Sequence, residues 1–254
     1  MSNSQAVILF TSSPKHEASH KRFDADDAAN QSVLRGFLQH SVETLAQLSQ
    51  TEDFDLVIST NSAHSITEAA PHLAAIPFQI IPQTGHSFGG RLDHTLSSVK
   101  QMGYDKIVII GNDCPALTSS HIQAAFKSLD EQPVVIGPAK DGGFYLLGVS
   151  QYDSAFFKAI PWRTNQVLKQ LKANLNELQI CPKILEKLAD ADDLTTLHTI
   201  FIDFLKHTKS FLSLILRTIF FKTIFSKQIL HSLSSVFQQS YKLIFQKSPP
   251  IFIS

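Results

Sequence analysis

The chain has 254 residues, with 22 basic and 22 acidic side chains, so its formal net charge at pH 7 is zero. With 43% hydrophobic and 17% charged residues, it can bury one sizeable core and carry an appendage. The start, MSNSQAVILF, has no basic region and only a short apolar stretch, so we do not expect export. Two cysteines make neither a disulfide framework nor a paired metal-binding cluster, which favours a reducing, cytoplasmic compartment.

Short apolar runs alternate along the chain with segments of helical spacing. The predicted strands are 6–10, 55–60, 78–82, 106–111, 133–138 and 144–149. The predicted helices, placed from spacing and caps, are 27–49, 62–74, 91–102, 118–131 and 164–176. This alternation predicts an α/β three-layer sandwich, in which helices cover both faces of a mostly parallel sheet. Ligands of such sheets bind beyond the carboxyl ends of the strands.

The first candidate site residues follow the buried run 106–111. Asn112 and Asp113 come directly after it, and Pro115 stiffens the turn. A carboxylate at the end of a buried strand persists only if it is paired, hydrogen-bonded or bound to a metal. A turn or helix-capping aspartate is the simpler interpretation. Cys114 has no histidine close in sequence, so we expect a small buried residue there and not a nucleophile.

Two further acidic segments follow. PAKDGGFYLLG places Asp141 before Gly142 and Gly143, and adjacent glycines let a backbone approach a ligand closely. A plain hairpin turn is the alternative for this segment. KLADADDLTTL sets Asp190 and Asp192 beside a third acid, ahead of a helical stretch. Three acids so close in sequence are solvated at a helix start or share a cation.

Four segments in this order resemble a known family: GNDCPALTSSHIQAAF, VVIGPAKDGGFYLLGV, IPWRTNQVL and LADADDL. They are similar to the DUF2064 family of bacterial proteins with a glycosyltransferase-A fold. That family is related to molybdenum-cofactor guanylyltransferases and phospholactate guanylyltransferases, and the resemblance spans roughly residues 5–200. It implies a nucleotide-diphosphosugar-transferase fold, in which a strand-end aspartate and a later aspartate hold Mg²⁺ or Mn²⁺ against nucleotide phosphates.

The resemblance also assigns roles by motif. The metal ligands would be Asp113 and either Asp192 or its neighbour Asp190. The metal would neutralise charge on the leaving phosphate oxygens. The other site residues in these motifs are Asn112, Gly142 and Gly143 beside the nucleotide and Asp141 in catalysis.

The first loop departs from the family, many of whose members carry glycine and basic residues suited to cradling phosphates. This chain reads TSSPKHEASHKRF at 11–23, with no glycine. Lys15, Lys21 and Arg22 would therefore meet a nucleotide as side chains, and a main-chain cradle for a triphosphate is not expected. A solvated loop is the alternative interpretation.

The second loop, QTGHSFGGRLDHTL, resembles a segment that borders the nucleotide cleft in a branch of the same family. It places Gly89 and Gly90 before Arg91, and an arginine beside mobile glycines can grip phosphate through forked hydrogen bonds. We therefore include Arg91 among both the nucleotide-binding and the catalytic residues. Pairing of Arg91 with Asp93 or another carboxylate is the alternative.

These features together predict a metal-dependent transferase that uses a nucleotide-activated donor and acts on a small acceptor, in the manner of a glycosyltransferase. The first alternative is a nucleotidyltransferase acting on a phosphorylated small molecule, which the glycine-free loop makes second choice. The second is a nucleotide-binding or scaffold protein that has lost the chemistry. The expected ligand is a nucleotide or nucleotide sugar, with no nucleic-acid partner. We expect Trp162 to be a core aromatic.

Charge divides the chain near Phe204. Residues 1–204, the expected nucleotide-binding domain, hold all 22 acidic and 15 of the 22 basic residues, a balance of −7. Residues 205–254 hold seven basic residues and no acid, with leucine, isoleucine and phenylalanine at helical spacing. A basic amphipathic helix lying on the inner, anionic face of a membrane is one interpretation of this tail. A helical pair packed on the domain or on a second copy in a homodimer is the other.

Overall fold

The computed structural model describes residues 5–21, 23, 26–63, 66, 76–191 and 196. Its strands are β1 (Gln5–Phe10), β2 (Asp55–Thr60), β3 (Phe78–Pro82), β4 (Lys106–Ile110), β5 (Val134–Pro138), β6 (Phe144–Val149) and β7 (Lys183–Ile184). The helices in the described residues are α1 (Pro14–Glu17), α2 (Asp27–Leu48), α3 (Phe88–Gln101), α4 (Ser119–Ser128) and α5 (Val167–Glu177), with a 3₁₀ turn at Ser154–Phe157. All six predicted strands are therefore confirmed.

The strands form one seven-stranded sheet in the order β3-β2-β1-β4-β6-β5-β7. β1 runs parallel to β2 and β4, β3 runs parallel to β2, and β7 runs parallel to β5. β6 alone is antiparallel, to both β4 and β5. The prediction of a mostly parallel sheet is confirmed. Because the parallel strands share a direction, the segments that follow β1, β3, β4, β5 and β7 all leave the sheet at one edge.

Alternate residues of the central strands point to opposite faces of the sheet and build two cores. On one face, Val7 and Leu9 of β1 pack with buried residues of α2 and α4. On the other, Ala6 and Ile8 pack with buried residues of α3 and α5. Each large aliphatic side chain buried in this way stabilises the fold by about 1.5–3 kcal/mol. The two cores hold the sheet rigid beneath the loops at its edge.

Several boundaries differ from the sequence prediction. α3 begins at Phe88, earlier than predicted, because Ser87 caps it by accepting the Gly90 N–H at 3.0 Å. α1 and β7 are too short for periodicity to predict. The predicted helix 62–74 falls mostly outside the described residues, as do Arg22, Asp192 and the tail from 205. No helix in the described part of the chain is long and apolar enough to cross a membrane.

Candidate active site

A cleft of about 690 Å³ opens at the edge where the parallel strands end. It brings together many of the residues singled out in the sequence: Lys21, Arg91, Asn112, Asp113, Asp141, Gly143 and Asp190 all line it. The other described candidates do not line it: Lys15 is exposed on α1, Gly89 and Gly90 lie in the first turn of α3, and Gly142 packs against residue 165. Segments far apart in sequence thus meet at one place, as expected for a sheet of this topology.

Asp113 is positioned by the turn after β4. Gly111 leaves room for its carboxylate, since a Cβ at position 111 would lie 2.8 Å from Asp113 Oδ1. Lys21 Nζ donates to Asp113 Oδ2 at 2.7 Å, and 37% of the Asp113 side chain stays exposed. Burial opposes ionisation, but the Lys21 charge and hydrogen bond outweigh it and hold the pKa of Asp113 below its ordinary value of 3.8. Thr118, and not Asp113, is the N-cap of α4.

The backbone of Lys21 is positioned by Asn30, whose side chain is fully buried. Asn30 Oδ1 accepts the Phe23 N–H at 2.8 Å, and Asn30 Nδ2 donates to the Lys21 carbonyl at 2.9 Å. Asn30 was not among the site residues predicted from the sequence. Its signal is a polar side chain on the buried stripe of α2, at helical spacing from Val33 and Leu34.

The segment that carries Asp190 docks onto the Asp113 turn. The Ala191 N–H donates to the Asp113 carbonyl at 2.8 Å, and Lys21 Nζ donates to the Ala191 carbonyl at 3.3 Å. Cys114 Sγ lies 3.5 Å from the carbonyl of residue 189. Cys114 is buried as expected, and burial followed by the charges of Asp113 and Asp190 raises the pKa of its thiol, so it is unsuited to nucleophilic work.

Glu17 adds a third carboxylate at this end of the cleft, which the sequence analysis did not identify. Burial, followed by the neighbouring charge of Asp113, raises the pKa of Glu17 above its ordinary value of 4.5. Three acids and Lys21 therefore share one region. Among the residues described here, no group of three His, Cys, Asp or Glu side chains is arranged to hold a metal.

The backbone N–H groups of residues 16–21 in the first loop all form hydrogen bonds within that loop. The His16 N–H donates to Ser13 Oγ, and the next five N–H groups, from Glu17 to Lys21, donate to carbonyls of residues 13 to 17. These amides are not available to a ligand. Residues 16–21 therefore offer no free backbone N–H group to a phosphate, and His16, Glu17, His20 and Lys21 line the cleft.

Asp141 lies in the turn that joins β5 to β6, so the hairpin interpretation of this segment is correct. Asp141 Oδ1 accepts the Gly143 N–H at 2.7 Å. Gly142 has a φ of 97° and no room for a side chain, because a Cβ there would lie 2.3 Å from the Asn165 carbonyl oxygen. The Leu168 N–H donates to the Gly142 carbonyl at 2.9 Å. The turn is braced by the segment that precedes α5.

Arg91 and Trp162 also line the cleft. Arg91 makes no ion pair within the described residues, and Asp93 instead accepts a hydrogen bond from Tyr152. Trp162 is only partly buried: it packs on Phe88 at a ring-centroid distance of 5.0 Å and also faces the cleft. A Cβ on Gly89 would lie 2.2 Å from Trp162 Nε1, so glycine is required for this contact. Trp162 therefore serves both core and cleft wall.

The strand order, the single antiparallel strand and the strand-end cleft define the fold of nucleotide-diphospho-sugar transferases. A candidate nucleotide-diphospho-sugar transferase from Desulfovibrio desulfuricans G20 has this fold, with a TM-score of 0.71 at 20% identity over 94% of this chain and 98% of its own. Residues 43–164 match the family described as "Uncharacterized protein conserved in bacteria (DUF2064)". The resemblance read from the motifs is thereby confirmed over those residues.

Two other solved structures are more distant. CMP:2-keto-3-deoxy-manno-octonic acid synthetase complexed with CTP is 10% identical over 81% of this chain and all 100% of its own, with a TM-score of 0.49. A 4-diphosphocytidyl-2C-methyl-D-erythritol synthase from Anaerococcus prevotii DSM 20548 is 8% identical over 72% of this chain and 87% of its own, with a TM-score of 0.49. Likeness at this level does not extend to function. No curated protein matches the chain.

Proposed function

We propose that this protein is a metal-dependent transferase that binds a nucleotide-activated donor, with a nucleotide sugar as first choice, and transfers the activated group to a small acceptor. The observation that supports this most directly is the docking of the Asp190 segment onto the Asp113 turn, with Lys21 bonded to both. Clustered acids and a lysine at a strand-end edge suit a ligand that carries both phosphates and a cation.

The acidic residues fit a hard divalent cation in their chemistry. Asp113 is held in its ionised form, Asp190 lies on the adjoining segment, and Asp192 is the further ligand expected from the sequence. Oxygen donors of this kind suit Mg²⁺ or Mn²⁺. When bound, such a cation neutralises charge that develops on the leaving phosphate oxygens.

The remaining residues of the cleft have distinct proposed roles. Arg91 donates forked hydrogen bonds to the diphosphate, and Lys21 adds a further positive charge beside it. Asp141 uses the carboxylate oxygen that does not accept from Gly143 to take the proton of the acceptor hydroxyl. The hydroxyl oxygen then forms a bond to the sugar carbon. The bond from that carbon to the phosphate oxygen breaks, and its electron pair leaves with the nucleoside diphosphate.

The hydrogen-bonded backbone of residues 16–21 supports a diphosphate donor over a triphosphate. Nucleotidyl transfer requires the enzyme to hold a triphosphate and stabilise departing pyrophosphate, for which backbone amides are well suited. Residues 16–21 offer none. Nucleotidyl transfer to a phosphorylated acceptor is therefore the second candidate function.

The test is a thermal-shift screen of the full chain with Mn²⁺ and, separately, nucleoside triphosphates, nucleoside diphosphates and nucleotide sugars. A ligand at 100 times its Kd stabilises a protein by about 2.7 kcal/mol, which is readily measured. We expect the largest metal-dependent shift with a nucleotide sugar. Tight triphosphate binding with release of pyrophosphate would reverse the order of the two candidates. Absence of any nucleotide or metal binding would indicate a scaffold protein.

Asp113→Asn tests the proposed metal site. Asparagine keeps the shape of the side chain and can still accept from Lys21, but it removes the charge a divalent cation requires. We expect metal-dependent nucleotide binding to disappear while the melting temperature without ligand changes little. Asp105→Asn is the matched control, because Asp105 is exposed and lies away from the cleft. Unchanged nucleotide affinity in Asp113→Asn would show that Asp113 is structural.

A further inference from the structure

Arg163 is a cleft residue to which the proposed function gives no role. It lines the cleft, its side chain is exposed, and its backbone has a φ of 64°. This left-handed conformation is unfavourable for a residue with a long side chain, and glycine or asparagine would adopt it more easily. Arginine at such a position lowers stability, so the guanidinium group needs another explanation.

The loop that carries Arg163 is fixed on both sides. Trp162 packs against Gly89, whose missing side chain allows the contact. Thr164 Oγ1 donates to the Pro161 carbonyl at 2.7 Å, and the backbone of residue 165 closes over Gly142. Arg163 is therefore held next to the Asp141 turn by a rigid loop.

Arg163 has no ion-pair partner in the part of the chain that the structure describes. The cleft nevertheless contains Glu17, Asp113 and Asp190. Those acids lie around Lys21 and the Asp113 turn. A guanidinium group carried into a cleft by a fixed backbone, with no ion pair to a described carboxylate, is a site for the planar, forked recognition of a carboxylate or phosphate.

We propose that Arg163 binds an anionic group of the acceptor, so that the acceptors are small hydroxyl compounds carrying a carboxylate or a phosphate. Its role in binding the acceptor rests on the proposed function. The donor diphosphate is assigned to the Asp113 end and to Arg91, whereas the Arg163 loop is attached to the turn of Asp141, the proposed base. An acceptor whose hydroxyl donates a hydrogen bond to Asp141 would therefore have its anionic group in the part of the cleft next to Arg163.

Trp162 provides a direct readout, because it is the single tryptophan of the chain and the immediate neighbour of Arg163. The experiment titrates inorganic phosphate, glycerol 3-phosphate, glycerate and glycerol into the full-length protein and follows tryptophan fluorescence. We expect saturable changes with the anions and none with glycerol. The stronger of glycerol 3-phosphate and glycerate then identifies the preferred anionic group.

Arg163→Gln should weaken the binding of the anionic probes by at least about tenfold, since a hydrogen bond to a charged group is lost. Arg163→Gly should do the same while melting at or above the wild-type temperature, because it relieves the backbone strain; this separates lost binding from misfolding. Arg35→Gln, an exposed arginine on α2 outside the cleft, should bind the probes like the wild type.

Three results would overturn the proposal: no saturable response of the wild type to any anion, equal binding of glycerol, or undiminished anion binding in Arg163→Gln. A parallel loss of nucleotide-sugar binding in Arg163→Gln would also overturn it, because it would place Arg163 on the donor. Anion binding that depends on Arg163 in a protein that binds no nucleotide would leave this site standing and refute the proposed function instead.

Discussion

Replacement of the buried Asn30 by alanine should destabilise the protein and loosen Lys21 together. Alanine removes the acceptor of the Phe23 N–H and the donor to the Lys21 carbonyl, both inside the fold. A buried polar group left without a partner costs about 1–3 kcal/mol. The Phe23 N–H is buried, so we assign its loss of a partner a cost of about 2 kcal/mol. The Lys21 carbonyl is only partly buried, so we assign its loss about 1 kcal/mol. Alanine's higher helix propensity returns about 0.5 kcal/mol.

The net loss of about 2.5 kcal/mol is measurable by urea unfolding, where a slope of about 2 kcal/mol per molar lowers the midpoint by roughly 1 M. Asn30→Asp keeps the acceptor for the Phe23 N–H but buries a carboxylate oxygen against the Lys21 carbonyl, so it should be at least as destabilised as Asn30→Ala. Gln31→Ala, on the next residue of α2, is the control and should stay within about 0.5 kcal/mol of the wild type. If Asn30→Ala is no less stable than this control, the two hydrogen bonds of Asn30 to Phe23 and Lys21 do not stabilise the fold as we infer.

Two further predictions concern the pH response and the tail. Burial lowers the pKa of His121 below 6.5 even though the charge of Glu186 and a backbone hydrogen bond at Thr118 oppose it, so the unfolded chain binds the proton more readily and stability falls as pH drops through 6.5. His121→Gln should lose less stability than the wild type in urea unfolding compared at about pH 7.5 and about pH 5.5; equal losses would contradict this. For residues 205–254, we expect salt-sensitive cosedimentation of the full chain with anionic liposomes and none for a chain ending at Phe204. Precipitation of the shorter chain, with no liposome binding by the longer, would place the tail in the fold or in a dimer.

The sequence predicts the central strands well because each is a local apolar run bounded by turn residues. The parallel direction follows from the intervening helices, and Asp113 follows from its place after β4. The sheet edge then brings Asp113, Asp141 and Asp190 into one cleft. These features depend on patterns that a few neighbouring residues carry.

The features that were missed depend on contacts between distant segments. Asn30 is important only because the backbones of Lys21 and Phe23 lie against its side chain. Glu17 is influenced by the charge of Asp113, which is remote in sequence, and Arg163 is identified by a backbone angle that is unfavourable for arginine. Periodicity carries no information about any of these arrangements.

The engaged backbone of the first loop has a consequence for how ligands would bind. With no free amides at residues 16–21, phosphate recognition there depends on side chains, and Lys21 is already paired with Asp113. On the proposed function, Asp113 binds a cation and Lys21 binds phosphate, so both ligands draw on the same ion pair. A ligand that engages Asp113 makes Lys21 more available, and one that engages Lys21 makes Asp113 more available. Because such coupling is reciprocal, Mn²⁺ should tighten nucleotide binding by the same factor by which the nucleotide tightens Mn²⁺ binding.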